Sequence, residues 1–126
     1  MENNMVYICS PYRGDTVRNI EYAKELTRAA VAAGYAPVTT HLYLTQALDD
    51  ENPEEREAGM SAGAEILHCC RYFLIGARYG ISEGMKAEIR LAKEEKKIFL
   101  FEGKKGEMLE LQKKRKGSEN DKGGID

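Results

Sequence analysis

An open, three-layer α/β fold built on a parallel sheet of four to five strands, of the Rossmann or flavodoxin-like kind, is what this sequence predicts. Three observations carry that expectation. Short β-rich runs recur at residues 6–9, 36–38, 72–75 and 98–101. Stretches with helical periodicity and recognisable caps fill the intervals between them. The third run, Tyr72-Phe73-Leu74-Ile75, is apolar throughout, as a strand covered on both faces must be. Strand–helix–strand units of this kind join parallel strands through right-handed crossovers.

Taken in order, the first strand (6–9) runs into Ser10-Pro11-Tyr12-Arg13-Gly14-Asp15, a turn-forming cluster. A helix over 15–33 follows, with Asp15 as its cap and Gly34 just past its end. Its expected inner stripe is Ile20, Ala23, Ala30 and Ala33, flanked by Leu26. The second strand is 36–38. Residues 39–50, which include His41-Leu42-Tyr43-Leu44, read either as a loop or as the start of a short helix. Asn52-Pro53-Glu54-Glu55 announces a helix to about Cys69: a side-chain cap, a proline at the first helical position and acid against the helix dipole. After the third strand and a loop over 76–81, Ser82 caps a helix to about Glu95. Met85, Ile89 and Ala92 lie on one of its faces, with Ala87 and Leu91 beside them. The fourth strand is 98–101, residues 107–114 suggest a last helix, and a fifth strand has no evident place. Residues 1–112 thus form one α/β domain. The tail 113–126 opens on Lys113-Lys114-Arg115-Lys116 and then carries almost nothing apolar, which is the composition of a solvated, disordered segment.

Composition narrows the function classes. The chain has 126 residues, is 42% hydrophobic and sets 19 basic against 21 acidic side chains. A net charge of −2 offers neither a nucleic-acid footprint nor a polybasic membrane patch. No apolar run approaches the roughly 20 residues of a membrane span, and the first residues lack the features of a signal peptide. A cytoplasmic location is the expectation. Three cysteines, Cys9, Cys69 and Cys70, fit neither a disulfide framework nor a zinc site and read as small buried hydrophobes.

In open parallel sheets, ligands bind beyond the carboxyl ends of the strands. Three segments should therefore line the site: 10–15, 39–43 and 76–88. The first joins a strand to a helix start, so its backbone N–H groups could cradle a phosphate with Arg13 adding charge. A purely structural turn would look the same. In the third, Ser82 sits at a helix start and Glu88 about one and a half turns on, among Ala87, Ile89 and Leu91. Ser82 and Glu83 suit capping alone, and Glu88 reads as a surface acid or a half-buried one. His41 follows the second strand near the ligand edge. His68 reads as a helix C-terminal cation or a core residue.

Two segments resemble a known family. Tyr7-Ile8-Cys9-Ser10-Pro11-Tyr12-Arg13-Gly14 looks like the first strand and phosphate-contacting loop of the 2′-deoxynucleoside 5′-phosphate N-hydrolases. Ser82-x-Gly84-x-x-x-Glu88-Ile89-x-x-Ala92, followed by Lys97-Ile98, resembles that family's Ser-x-Gly-x-x-x-Glu signature. The likeness spans about 5–101 and places the chain near the nucleoside 2-deoxyribosyltransferase-like superfamily, closest to bacterial and phage members of unknown function. It implies that Glu88 is the nucleophile at the anomeric carbon. Ser82 and the segment Ser10, Pro11, Tyr12, Arg13 and Gly14 would hold a 5′-phosphate or an equivalent oxygen, and Gly84 belongs to the same signature. Tyr7 would lie beneath the sugar and His41 near the base or the second sugar face. It further implies a homo-dimer or higher homo-oligomer, and it calls for no cofactor and no metal. The sequence also departs from the pattern. The aspartate these enzymes carry in the helix before the third strand falls near Gly63, with no acid there, and Asp49, Asp50 and Glu65 are the possible substitutes. Two functions follow as expectations: an N-glycosidase or deoxyribosyltransferase acting on a nucleoside or nucleoside 5′-phosphate, or a non-catalytic protein that sequesters or senses a nucleotide or ADP-ribose-like signal.

Overall fold

The computed structural model describes residues 2–103 and 108–110. Ten elements follow in order: β1 (Met5–Cys9), α1 (Thr16–Ala32), β2 (Ala36–Val38), a 3-10 turn (Thr40–Leu42), α2 (Leu44–Ala47), α3 (Pro53–Cys69), β3 (Tyr72–Ile75), α4 (Glu83–Glu94), β4 (Ile98–Glu102) and β5 (Met108–Glu110). The strands form one sheet in the order β2-β1-β3-β4-β5. The first four run parallel, with Val6 opposite Pro37 and Tyr72, and Tyr72 opposite Ile98. The open parallel α/β sheet read from the sequence is the fold. Among the described residues, no helix is long and apolar enough to cross a membrane.

The fifth strand was the element without an evident place, and it occupies part of the segment read as a last helix. Met108–Glu110 pairs antiparallel with β4, Met108 opposite Glu102. Met, Leu and Glu are good helix formers in isolation, but the outer ladder of β4 would otherwise lack partners, and that demand overrides a weak local preference. Residues 111–114, and the tail over 113–126, lie outside the described residues.

Handedness distributes the helices. The chain steps from β1 to β2 in one direction and from β1 to β3 in the other, so right-handed connections place α1 on one face and α3 and α4 on the opposite face. The strands alternate accordingly. Val6, Ile8, Leu74 and Leu100 pack with Tyr22, Leu26 and Ala30 of α1. Tyr7, Cys9, Phe73 and Ile75 pack with Leu67, Met85 and Ala92 on the other side.

The caps fall where the sequence puts them. Asp15 accepts from Arg18 N, Asn52 from Glu54 N and Glu55 N, and Ser82 from Met85 N. The stripe of α1 does so in part. Its buried residues are Asn19, Tyr22, Ala23, Leu26 and Ala30, whereas Ala33 is exposed and Ile20 only half-buried. Two polar side chains take core positions because each finds partners there. Cys69 also departs from expectation: it ends α3 facing solvent, while Cys9 and Cys70 are buried. Burial pushes the Cys70 thiol up to about 11.

Gly76 leaves β3 where α1 crosses closest. A Cβ there would lie 2.5 Å from Leu26 Cδ1 and 2.9 Å from the Tyr22 hydroxyl. That hydroxyl donates to Glu102 at 2.7 Å and accepts from Arg78 N at 3.1 Å, so it has little room to yield. Gly76→Ala is expected to destabilise the protein by about 1–3 kcal/mol, the range typical of overpacking. Urea unfolding of the purified variant measures it.

Candidate active site

The order β2-β1-β3 marks the point where chain connections diverge, and there the loops after β1 and β3 separate and leave a crevice. A cavity of about 450 Å³ opens at that point, bounded by β1, the loop after it, the 3-10 turn, α2, α3 and α4. Tyr7, Ser10, Tyr12, Arg13, His41, Ser82, Gly84 and Glu88 all line it. Pro11 and Gly14 belong to the same loop but not to the cavity wall; Pro11 is buried and Gly14 turns the chain at a φ of +95°.

Glu88 owes its depth to helix register. Met85 and Ala92 are buried anchors of α4, and position 88 falls on the same stripe, three residues after one and four before the other. The carboxylate is thereby drawn toward the sheet. The Tyr7 hydroxyl donates to Glu88 Oε2 at 2.7 Å and lies 3.4 Å from Thr40 Oγ1. Cys9, two residues along the same strand face, donates its thiol to the Met85 carbonyl at 3.9 Å. Burial raises the Glu88 pKa above its ordinary value, and the Tyr7 hydroxyl and the Cys9 thiol oppose it by favouring the carboxylate. Burial, reinforced by the Glu88 charge, drives the Tyr7 hydroxyl far above the usual tyrosine range. Tyr7 therefore stays protonated and remains a donor to Glu88 at any physiological pH.

The loop after β1 adds polar groups to the lining. Ser10 is 1% exposed and its Oγ has no hydrogen-bond partner among the described residues. Its loop is pinned from behind by Asn19, whose Nδ2 donates to the carbonyls of Tyr12 and Arg13 at 3.0 and 3.1 Å. Arg13 Nε reaches Asp50 Oδ2 at 2.6 Å and ties this loop to the segment before α3. The His41 ring packs on Tyr12, centroids 5.3 Å apart. Burial lowers the His41 pKa below its usual value, while the Ser10 backbone and the Asp50 carboxylate pull the other way.

Gly63 of α3 faces the same centre: a Cβ there would sit 3.5 Å from the Tyr7 hydroxyl. The resemblance implies an aspartate near this position, and Gly63 itself offers no side chain. Of the three candidate substitutes, Asp50 lines the cavity, already paired with Arg13, whereas Asp49 and Glu65 lie outside its wall. His68 stands away from the site, exposed at the end of α3 and 3.1 Å from Glu95. The sequence puts Thr40 in a segment expected to line the site but gives no sign of its contact with Tyr7, and it gives none of the role of Asn19; both depend on partners distant in the chain. A second cavity of about 490 Å³ lies on the α1 side, lined by Glu25, Arg78 and Glu102. Its charged groups are committed to one another, Arg78 to both carboxylates, so the first cavity is the better candidate.

These features define an open, parallel α/β protein that presents the half-buried Glu88 carboxylate at its switch-point crevice. Residues 4–101 match the family described as a domain of unknown function, DUF7768, and the chain belongs to that family. No curated protein matches the chain. Among solved structures it is similar to a 2-deoxyribosyltransferase from Bacillus psychrosaccharolyticus, with a TM-score of 0.56 and 15% sequence identity over 77% of this chain and 70% of that one. At that identity the likeness is one of fold.

Proposed function

We propose that this protein cleaves or transfers at the N-glycosidic bond of a nucleoside or nucleoside 5′-phosphate, with Glu88 as the nucleophile. The observation that carries the reading is the half-buried Glu88 carboxylate, facing a ligand-sized cavity and held at 2.7 Å by a tyrosine that stays protonated. In the first step Glu88 Oε bonds to C1′ and the C1′–N bond breaks, its electron pair leaving with the base. Water or an acceptor base then displaces Glu88 from the glycosyl ester. The fold neighbour's name, a 2-deoxyribosyltransferase, agrees with this chemistry. Ser82, the backbone of the loop from Ser10 to Gly14 and the N-terminal turn of α4 would hold a 5′-phosphate or the equivalent sugar oxygen. The subunit would work as a homo-dimer or higher homo-oligomer, with the exposed Met60 at the cavity rim among the surfaces covered.

The bare Gly63 favours a second reading, in which the cavity holds a nucleotide or ADP-ribose-like signal without cleaving it. Incubation with nucleosides, nucleoside 5′-monophosphates and NAD-type dinucleotides, resolved by chromatography, separates the two. Free base in stoichiometric excess over protein is the expected result. Ligand recovered intact with the protein after long incubation would replace the first reading with the second.

A further inference from the structure

We propose that His41 carries the proton in this reaction, giving it to the departing base nitrogen and regaining it from the water that follows. The assignment rests on the glycosidic reading above and supplies what Gly63 lacks. It comes from what the titratable groups of the cavity wall are already doing. Asp50 is paired with Arg13 at 2.6 Å. Glu55 accepts from Asp49 N at 2.6 Å. Glu83 reaches out to Lys86 at 3.0 Å with a 90% exposed side chain. Tyr7 is committed as donor to Glu88. The guanidinium groups of Arg13 and Arg56 do not exchange protons. Besides Tyr12, the ring on which it packs, His41 is left: a half-buried imidazole on the wall that meets the Ser10 backbone, with its own backbone fixed by Thr45 Oγ1 donating to its carbonyl at 2.6 Å. Its neighbour Thr40 contacts Tyr7, which places the imidazole one residue from the chain of groups that ends at Glu88.

The proton cycle closes. Imidazolium His41 donates to the base nitrogen as the C1′–N electron pair arrives there and Glu88 Oε bonds to C1′. The neutral ring then accepts a proton from water as the water oxygen bonds to C1′ and the Glu88–C1′ bond breaks, its electron pair returning to the carboxylate. Nucleoside and water become free base and sugar, and His41 ends protonated as it began. The groups that face His41 are Tyr12, the Ser10 backbone and the Arg13–Asp50 pair, with Glu55 and Arg56 of α3 and Glu83 and Glu88 of α4 on the same cavity wall. The first step needs Glu88 ionised and His41 protonated. Glu88 titrates above its ordinary 4.5 and His41 below its ordinary 6.5. The rate therefore falls on the acid side as Glu88 protonates and on the alkaline side as His41 loses its proton.

The test compares two probes, each as nucleoside and 5′-monophosphate: 2′-deoxyinosine, whose base must gain a proton, and nicotinamide 2′-deoxyriboside, whose base leaves neutral without one. For His41→Gln, single-turnover base release from the first probe is expected to fall by about 10²–10⁴-fold, the usual contribution of a general acid. Release from the second should stay near wild type, which also shows that the variant is folded, and should then stall as a glycosyl ester on Glu88. The alkaline limb of the deoxyinosine pH profile should vanish, and His41→Asn should behave alike. Equal loss on both probes, or loss on neither, overturns the assignment, as does a wild type that cleaves only the nicotinamide probe. A wild type that releases base from neither probe overturns the glycosidic reading itself, and the assignment falls with it.

Discussion

Glu88→Gln is expected to reduce base release at least about 10⁴-fold, the scale seen when a nucleophile is removed, and to leave the protein more heat-stable at pH 7. Both effects come from one carboxylate. Glutamine keeps an oxygen that can accept the Tyr7 hydroxyl at the position where Glu88 Oε2 accepts it now, so the loss of rate reports the nucleophile rather than a collapsed site. The gain in stability follows from the sign of the pKa shift. Burial raises the folded-state pKa of Glu88 above its ordinary 4.5, so the native fold prefers the protonated form. That preference stabilises the protein fully at pH values below 4.5. It is lost as pH rises through the folded-state value, leaving an ionised group the fold would rather not hold. Thermal melts of the two proteins should therefore differ at pH 7, with the variant higher, and converge toward pH 4.5. A variant that is less stable at neutral pH would show that the Glu88 charge is compensated more fully than its surroundings suggest.

Phe73→Ala is expected to cost about 3–5 kcal/mol, the range for truncating a buried aromatic residue. Phe73 is wholly buried in the middle of the central strand. Its ring lies parallel to Tyr7 at 5.7 Å and against Phe99 at 5.4 Å. At roughly 3–5 °C per kcal/mol for a chain of this size, the melting temperature should drop by about 10–20 °C. The site should suffer as well, because Phe73 is the floor under the tyrosine that positions Glu88. Calorimetry measures the first effect. The second is measured by base release at a temperature where the variant is still folded. Full activity there would mean that Tyr7 is held by Glu88 and Thr40 alone.

Local chemistry made much of the fold legible. The apolar run Tyr72–Ile75 is β3 residue for residue, and Asp15, Asn52 and Ser82 cap their helices through side-chain oxygens. Legibility failed where a distant partner decides. Asn19 and Tyr22 are polar by type, yet they share the buried face of α1, one because it ties down the carbonyls of Tyr12 and Arg13, the other because it reaches Glu102 eighty residues on. Nothing within Met108–Glu110 signals a strand; the waiting edge of β4 does. At the site, the sequence placed Ser82 and Glu88 on one helix but left the burial of Glu88 open. Its depth follows from sharing a stripe with Met85 and Ala92, and its orientation from Tyr7, eighty-one residues away. Thr40 was hidden for the same reason, since its contact with Tyr7 spans 33 residues.

The short strand β2 has a consequence of another kind. Among the described residues it closes one side of the sheet, pairing with β1 alone, and its middle residue is Pro37. Ala36 N donates inward to Asn4 O at 2.9 Å, so by alternation the nitrogen of Pro37 faces outward, where it carries no hydrogen. A strand from another molecule arriving at this margin would meet three residues and, at their centre, no donor. The molecule thus resists growing its sheet across molecules at that margin, a protection against aggregation written into one imino acid.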